Sequence, residues 1–395
     1  MSKTVPTPPN SQLHSSLNIR VIGLATFASM ATTRICDSML VALAQDFGVT
    51  TGAAAGVVSW YSIAYGVIGL LYGPFGDRIG KLRVVAAACL ACGFFALSAA
   101  VSPNLTSLLW ARVAMGTFSA AIIPLSMAWI GDSVSFEHRQ ETLAKLTSWT
   151  VSGMMFGVWF GGIAADYLSW RAAFLTLAVA LLWAGWSIHR WTPPNQAATH
   201  HYSGAPYFQS LLKLWERRTL WILFLSLFEG ITVMGAVAFI PSRLIQHFGL
   251  SATMAGGVML LFGMGGIAYS RMARYWLRLI GAHGLALLGG VLIALGLFGL
   301  AVADHPAIGI ASSTIAGIGF YMIHGNLQTQ ASQMAPTARG TALSFFSCMV
   351  FLGQSLGVMI MAICLDNGLV GNAFVITAGL VLLLGWLVSS VSKAN

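Results

Sequence analysis

The sequence predicts an all-α polytopic membrane protein with twelve transmembrane helices in two pseudo-symmetric six-helix bundles. The 395-residue chain is 57% hydrophobic and only 8% charged, whereas soluble domains carry about 25% charged residues. Apolar segments of about 20 residues, the length that crosses a bilayer as a helix, follow one another along nearly the whole chain. Two halves of six segments each flank a polar connection, which predicts the two bundles.

Two polar tails and a polar linker bound the two sets of apolar segments. Residues 1–17 form a polar tail without the apolar core of a signal peptide, so we expect it to stay in the cytoplasm. The N-terminal bundle covers 18–189, a linker covers 190–218, the C-terminal bundle covers 219–391, and 392–395 form a second tail. The predicted membrane segments are roughly 18–44, 52–72, 84–101, 106–131, 142–165 and 170–189, then 219–243, 252–273, 282–303, 307–333, 341–365 and 369–391.

Basic residues predict how the chain is oriented. Of the 20 Lys and Arg residues, sixteen lie in segments on the side of the tails and the linker. Only Arg171 and Arg243 lie on the other side, and Arg34 and Arg112 fall inside the apolar segments. Cytoplasmic loops of membrane proteins carry this excess. The pattern therefore predicts a multi-pass protein of a bacterial-type inner membrane with both termini in the cytoplasm.

The two halves repeat at a nearly constant spacing, which predicts two parallel six-helix units. Four short patterns recur at an offset of 200 or 201 residues. They are Phe47-Gly48-Val49-Thr50 with Phe248-Gly249-Leu250-Ser251, Gly80 with Gly281, Arg139 with Arg339, and the pair Gly153 and Gly157 with Gly353 and Gly357.

The remaining polar features exclude several partners. The five cysteines all fall in apolar runs, so we predict that they pack in the core and form no disulfide and no metal site. The neighbouring His200 and His201 lie in the linker, where solvation is the ordinary state. The net charge of +9 sits in loops between membrane segments, which argues against nucleic acid. We expect a monomer that contacts lipid, a small-molecule substrate and protons, with the proton gradient in place of any cofactor.

A short basic turn joins the second and third membrane segments. Residues 73–83 read Gly-Pro-Phe-Gly-Asp-Arg-Ile-Gly-Lys-Leu-Arg, a Gly-broken path that a bilayer tolerates only outside its hydrocarbon. This loop resembles the signature loop of the major facilitator superfamily. The resemblance implies two bundles that rock about a midplane site, with Asp77 pairing across the interface to the start of the eleventh helix. The gating residues that it implies here are Gly73, Asp77, Arg78, Gly80 and Lys81.

The fifth segment carries a stripe of small residues. Gly153, Gly157, Gly161 and Gly162 stand in a pattern that resembles the antiporter motif of exporters in this superfamily, in which this face seals against the other half. Val158 replaces the proline of that motif. The resemblance implies a gating role for the four glycines and favours export. Ordinary close packing of glycine-rich helices remains the alternative.

Ionisable residues inside the apolar segments mark the candidate site, because a charge in hydrocarbon is costly. They fall on the first, fourth, seventh and tenth segments, which line the central cavity in the superfamily. We predict that Asp37, Arg112, Glu229 and His324 couple transport to protons, since a buried carboxylate beside an arginine stays ionised until that partner leaves. Asp37 and Arg112 lie at similar depth, so they can pair. The alternative is a permanently neutralised cluster with a structural role.

The substrate-binding residues are predicted by position on these helices. A cavity with both signs of charge, amides and aromatic rings suits a medium-sized amphipathic or zwitterionic solute. The predicted lining is Arg34, Asp37, Glu229, Tyr321, His324, Asn326, Gln328, Trp149 and Gln354.

Together these features predict a proton-coupled secondary transporter, not an enzyme. The resemblance is strongest to the twelve-helix drug:proton antiporters, which implies export of small organic molecules by alternating access. A transporter of a metabolite, organic anion or siderophore-like metal chelate in the same fold remains open, in either direction. A membrane-embedded enzyme or sensor is the more distant alternative.

Overall fold

The computed structural model describes residues 9–192, 216–334 and 339–393, which form long helices. Among these residues, eleven helices are long and apolar enough to cross a membrane. Pro9–Arg34, continued by Leu40–Phe47, adds the twelfth. The predicted twelve-helix architecture is therefore confirmed. Most of the predicted linker, with His200 and His201, lies outside the described residues.

We number the membrane-crossing helices as spans 1 to 12. The short helix Tyr72–Ile79 joins spans 2 and 3. In the first bundle, span 1 is Pro9–Arg34 with Leu40–Phe47, span 2 is Thr51–Ala54 with Gly56–Gly69, span 3 is Lys81–Ala100, span 4 is Leu105–Ser133, span 5 is Phe136–Ile163 with the π-helical turn Ala164–Leu168, and span 6 is Trp170–Trp191.

The second bundle repeats this order. Spans 8 and 9 are the two arms of one long helical stretch that breaks at Gly281, where φ is 67°. Span 7 is Arg217–Glu229, the π-helical turn Gly230–Met234 and Gly235–Phe248, spans 8 and 9 lie within Ala252–Val302, span 10 is Pro306–Gln333, span 11 is Arg339–Asp366, and span 12 is Val370–Lys393.

The two ends of the bundles are called the termini face and the far face. The termini face carries the start of span 1 and the end of span 12, and the far face carries the turns between spans 1 and 2 and between spans 7 and 8. Both turns are built alike: Gly48 (φ 64°) and Gly249 (φ 66°) end one helix in the left-handed region. Thr50 and Ser251 then cap the next helix through their side chains. The repeated four-residue pattern is thus a helix stop followed by a helix start.

Asp46 fixes the far end of span 1 to span 6. Its Oδ2 accepts hydrogen bonds of 2.8 Å from Trp170 Nε1 and from Arg171 Nη1. The contact lies within the N-terminal bundle and is solvent-exposed, so it orients the rim of that bundle.

Within each bundle, a glycine stripe brings two helices into backbone contact. A Cβ added to any of three glycines of span 5 would collide with a carbonyl of span 1, so side chains larger than hydrogen do not fit. Span 11 packs on span 7 in the same way, since Gly353 lies on Leu227 and Gly357 on Ile231. The contacts on span 1 are those of Gly153 with Phe27, Gly157 with Ala31 and Gly161 with Ile35.

This packing corrects the face predicted for the stripe. We expected all four glycines of span 5 to seal against the other half, but three of them face span 1 of their own bundle. Gly162 alone of the four contacts the second bundle, at Ala252. The reason is helical period: Gly162 follows Gly161 directly and so points to a different side of the helix.

The two bundles meet along span 2 with span 11 and span 5 with span 8. The ring of Tyr65 lies 4.2 Å from that of Phe351, and the contacts of span 5 with span 8 run from Gly162 to Met155 against Gly263. Nearer the termini face, residues 147–149 of span 5 and most of residues 271–279 of span 8 are exposed. The bundles are therefore closed at the far face and apart at the termini face.

We predict that Gly153→Ala and Gly353→Ala each destabilise the protein. The added methyl must push apart two backbones in contact, and overpacking of this kind costs about 1–3 kcal/mol. The apparent melting temperature of purified protein in detergent should fall by several degrees in each variant.

Gly379→Ala is the matched control, because nothing lies within 4 Å of its added Cβ. Alanine is also the better helix former, so this variant should melt at the wild-type temperature or above. Equal melting of all three variants would contradict the packing described.

Candidate functional site

Span 1 loses its regular helix where its charged residues lie. The helix ends at Arg34 and restarts at Leu40, and the intervening turns are tighter, with Asp37 N–H bonded to the Arg34 carbonyl at 3.2 Å. Arg34 Nη1 lies 3.0 Å from Asp37 Oδ2, and the side chains are 6% and 0% exposed. The pair therefore neutralises itself within one span. Neither Asp37 oxygen accepts a hydrogen bond of good geometry from a described residue.

Arg112 of span 4 is fully buried, and two of its three guanidinium nitrogens donate to backbone carbonyls, while Nη2 has no partner among the described residues. Its Nε donates to the Val57 carbonyl at 3.0 Å and its Nη1 to the Thr32 carbonyl at 2.9 Å. The guanidinium also lies 4.1 Å above the Tyr61 ring, an attractive cation–π geometry. The expected ion pair with Asp37 is not formed. Arg112 instead joins spans 1, 2 and 4 through these contacts, and its part in proton coupling stays a prediction.

Span 7 and span 10 supply a second acid–base pair. Glu229 Oε1 lies 3.0 Å from His324 Nδ1, and the side chains are 0% and 25% exposed. The imidazole rests on Phe320, with ring centroids 5.0 Å apart. The π-helical turn of span 7 begins at Gly230, directly after the acid. Such π turns recur at functional sites, and here the turn coincides with the only acidic residue of its span.

A small cavity of about 40 Å³ lies between the bundles at this level. It has one charged wall residue, Arg34, and its other walls are methionine, valine and phenylalanine. Methionine side chains adapt to ligands of different shape. The lining residues are Arg34, Met154, Met155, Val158, Met234, Met259, Phe262 and Phe320.

Two other predicted lining residues present unsatisfied polar atoms. Tyr321 Oη and Gln354 Nε2 are buried without a partner among the described residues. Gln354 stands 200 residues after Met154, which lines the cavity, so the repeat places it at the equivalent point of span 11. Buried polar atoms left unpaired are costly, and both are therefore available for a ligand.

Three predicted lining residues lie elsewhere. Asn326 Nδ2 donates to the Ala282 carbonyl at 2.7 Å and its Oδ1 accepts from Ser392, so it ties spans 9, 10 and 12 together. Trp149 packs edge-on against Phe27 of span 1 and is 39% exposed. Gln328 is exposed, one turn from His324 toward the termini face. Asn326 is thus a helix-packing residue, contrary to expectation.

The signature loop forms the helix Tyr72–Ile79 and turns at Gly80, where φ is 104°. Lys81 lies between two carboxylates of its own bundle, Asp77 at 3.3 Å and Asp132 of span 4. Gly73 and Arg78 are exposed. Among the side chains that the structure describes, Asp77 contacts Lys81 of its own bundle, and its pairing with the start of span 11 remains a prediction for a closed termini face.

Sequence reasoning missed the methionine wall and the Lys81 link to Asp132. Methionine is common in membrane helices, so Met154, Met155, Met234 and Met259 gave no signal until the helix faces were known. Lys81 was predicted as a gating residue of the loop, but its separation of 51 residues from Asp132 gave no sign of their pairing. Among the described residues, no group of three or more His, Cys, Asp or Glu side chains is placed to hold a metal ion.

The structure has twelve membrane helices in two related bundles, an acid–base pair in each bundle and a methionine-lined cavity between the bundles. These features define a multi-pass membrane transporter. A family model described as Major Facilitator Superfamily matches residues 22–358. The chain therefore belongs to the major facilitator superfamily, and it is a transporter, not an enzyme.

Three relatives match this chain along most of their length. The MFS-type transporter YceJ of Bacillus subtilis is 22% identical over 348 residues, 86% of this chain and 85% of that protein. A chloramphenicol resistance protein of Streptomyces lividans is 23% identical over 359 residues, 89% and 90% of the two chains. The methyl viologen resistance protein SmvA of Salmonella typhimurium is 25% identical over 390 residues, 82% and 78%.

Solved structures share the fold at low identity. A bacterial homologue of the human lysosomal transporter Spinster, in an inward-facing and unoccupied conformation, aligns with a TM-score of 0.78 at 13% identity, over 98% of both chains. The nucleoside transporter NupG aligns with a TM-score of 0.74 at 14% identity, over 96% of this chain and 99% of that one. The fold prediction is confirmed by this likeness.

We predict that Arg112→Lys destabilises the protein although it keeps the charge. An ammonium cannot donate to both carbonyls in the fixed geometry of the guanidinium or stack as a plane on Tyr61. Loss of charged hydrogen bonds in the interior should lower the unfolding free energy by about 2–4 kcal/mol, measured by denaturation in detergent.

Arg190→Lys serves as control, because Arg190 is exposed on span 6 and, among the described residues, stacks on Trp186 alone. It should unfold like the wild type. An Arg112→Lys variant of unchanged stability would show that Arg112 does not hold spans 1, 2 and 4 together.

Proposed function

We propose that the protein is a proton-coupled exporter of small organic molecules that works by alternating access. The observation that carries this proposal is the pair of acid–base contacts, Arg34 with Asp37 and Glu229 with His324, one in each bundle around the central cavity. Ionisable groups at this depth are costly and are kept for function by default. No resident cofactor is needed, since the proton gradient supplies the energy.

Asp37 would carry a proton by exchange of partners. While Arg34 lies beside it, the carboxylate is stabilised as an anion. A proton and a cationic or hydrogen-bonding group of the substrate would compete for this carboxylate, because protonation of Asp37 removes the negative charge that holds the substrate. Proton binding and substrate binding then exclude each other at Asp37, which is the coupling that export against the proton flow requires.

Glu229 and His324 form the second carrier. The contact joins spans 7 and 10, so a shift of either span alters it. An imidazole changes charge near neutral pH, and a protonated His324 keeps the Glu229 anion neutralised. The partial exposure of His324 gives this pair a path for proton exchange when the termini face is open.

Export is favoured by the relatives named for resistance to chloramphenicol and methyl viologen. The sixteen basic residues near the tails favour the cytoplasm for the termini face. The described state, open at that face, is then ready to take substrate from the cytoplasm. We expect a monomer in a bacterial inner membrane.

Transport of an organic anion is the second candidate, because Arg34 is the one charged residue of the cavity wall. An anion would replace Asp37 as the counter-ion of Arg34. Proton and substrate would then bind together, whereas a cation or neutral drug would leave the pair intact or compete for Asp37.

The test is transport by purified protein in liposomes with a pH gradient imposed in either direction. The probes are labelled chloramphenicol, methyl viologen and, for the anion candidate, salicylate. The proposal expects a drug probe to move against the proton flow. Salicylate moving with protons would favour the second candidate, and transport of any probe at the same rate with no pH gradient would contradict proton coupling.

We predict that Asp37→Asn abolishes pH-gradient-driven transport while leaving the protein folded. The amide keeps the shape of the side chain but cannot take up or release a proton. Driven uptake should fall to the level of empty liposomes, whereas counterflow of the same probe, which needs no net proton movement, should persist.

Asp304→Asn is the control for Asp37→Asn, since Asp304 is an exposed carboxylate in the turn between spans 9 and 10. Its driven transport should equal that of the wild type. Full driven transport by Asp37→Asn would remove Asp37 from the mechanism.

We predict that Asp77→Asn slows turnover without weakening binding of the transported probe. Asp77 lies in the exposed loop, away from the cavity, and holds Lys81. Its loss should affect closure of the termini face, so the maximal rate should drop while the equilibrium dissociation constant changes less than about twofold. A parallel loss of binding would argue against a gating role.

A further inference from the structure

The far face is closed by two carboxylates that each cross from one bundle to the other. Asp166, at the end of span 5, accepts hydrogen bonds from Ala252 N at 3.1 Å and Thr253 N at 2.7 Å, the first backbone groups of span 8. These N–H groups lack partners within their own helix. The carboxylate of one bundle therefore completes a helix of the other.

Asp366, at the end of span 11, does the same for span 2. It accepts from Gly52 N at 2.9 Å and from the Thr50 hydroxyl at 2.7 Å. Asp366 follows Asp166 by 200 residues, and Gly52 precedes Thr253 by 201, so the two contacts are equivalent positions of the repeat. Two copies of one device close the far face.

Each contact has a glycine that permits the close approach. A Cβ on Gly52 would meet Asp366 and, at 2.6 Å, the carbonyl of Ala362. A Cβ on Gly162 would meet the backbone of Ala252. Gly162 and Ala362 are again 200 residues apart, so the same helix position faces the same helix start in both halves. The two contacts differ in which helix carries the glycine: Gly52 lies on the capped helix, span 2, whereas Gly162 lies on span 5, which carries the carboxylate.

We propose that these contacts, Asp166 on span 8 and Asp366 on span 2, are paired latches that hold the far face closed and set the balance between the two open states of the transporter. A carboxylate at a helix N-terminus is favoured both by hydrogen bonds and by the helix dipole. These bonds exist only while the far face is closed, so they stabilise that state alone.

The latches lie between bundles and not within one. Opening the far face separates span 5 from span 8 and span 2 from span 11, and it must break all four carboxylate bonds. The bond from Gln246 to Thr51 at 3.0 Å also joins the bundles at this rim. Removing a latch should therefore shift the conformational balance while leaving each bundle folded, and the inference does not depend on the identity of the substrate.

The test measures the conformational balance directly. The five cysteines, all free, are replaced, and spin labels are placed at Pro103 and Ala307 across the far face or at His138 and Arg274 across the termini face. Distances are recorded by electron paramagnetic resonance on the full chain in nanodiscs. Asp166→Asn and Asp366→Asn should each raise the far-face-open population relative to the closed one roughly three- to tenfold.

Both label pairs should report the same shift with opposite sign. The far-face distance should lengthen and the termini-face distance should shorten, and the double variant should shift the balance further than either single variant. Asp304→Asn removes a carboxylate from the same face that lies in the turn between spans 9 and 10, and it should leave both distributions unchanged.

Thr50 provides a milder pair of variants should an Asn variant not yield folded protein. Thr50→Val removes the hydroxyl that donates to Asp366, and Thr50→Ser keeps it. Val should raise the open population and Ser should not. Unchanged distances in the Asn variants, or in Thr50→Val where those do not fold, would overturn the proposal.

Discussion

The structure depends on one constraint: an ionised side chain in the hydrocarbon interior must be neutralised or hydrogen-bonded by its neighbours. The chain meets this constraint in three ways. Arg34 is neutralised by the next turn of its own span, and Arg112 donates two hydrogen bonds to backbone carbonyls of two other spans. Glu229 is paired with the imidazole of span 10. Since these groups face the centre of the fold, the outer spans can be apolar throughout.

Contacts within a bundle and contacts between bundles are made of different chemistry. Within a bundle, glycines set backbone against backbone, as where Gly157 lies on Ala31 and Gly357 on Ile231. Such packing has no polar alternative in lipid, so we expect it to be kept when the bundles move. Between bundles, the far rim is held by carboxylates on helix ends, whose bonds water can replace. The molecule thus combines rigid halves with a separable seam.

Much of the architecture was predictable because it follows from local rules. Hydrophobic length located the spans, and the cost of buried charge located the helices that carry the site. Depth along a helix was also readable, so Asp37 and Arg112 were placed at a similar depth. The rotation of each helix about its own axis could not be read from the sequence. For this reason Arg112 was assigned to Asp37, and Asn326 was assigned to the cavity instead of spans 9 and 12. Contacts between residues far apart in sequence needed the tertiary structure.

The π-helical turn Gly230–Met234 divides span 7 into two parts, and the irregular stretch after Arg34 divides span 1 at a similar depth. Interruptions of this kind are where long helices bend. Each part can then follow the rim to which it is attached. We expect the protein to pass through an occluded intermediate, in which both hinged helices have folded over the solute before the opposite gate parts.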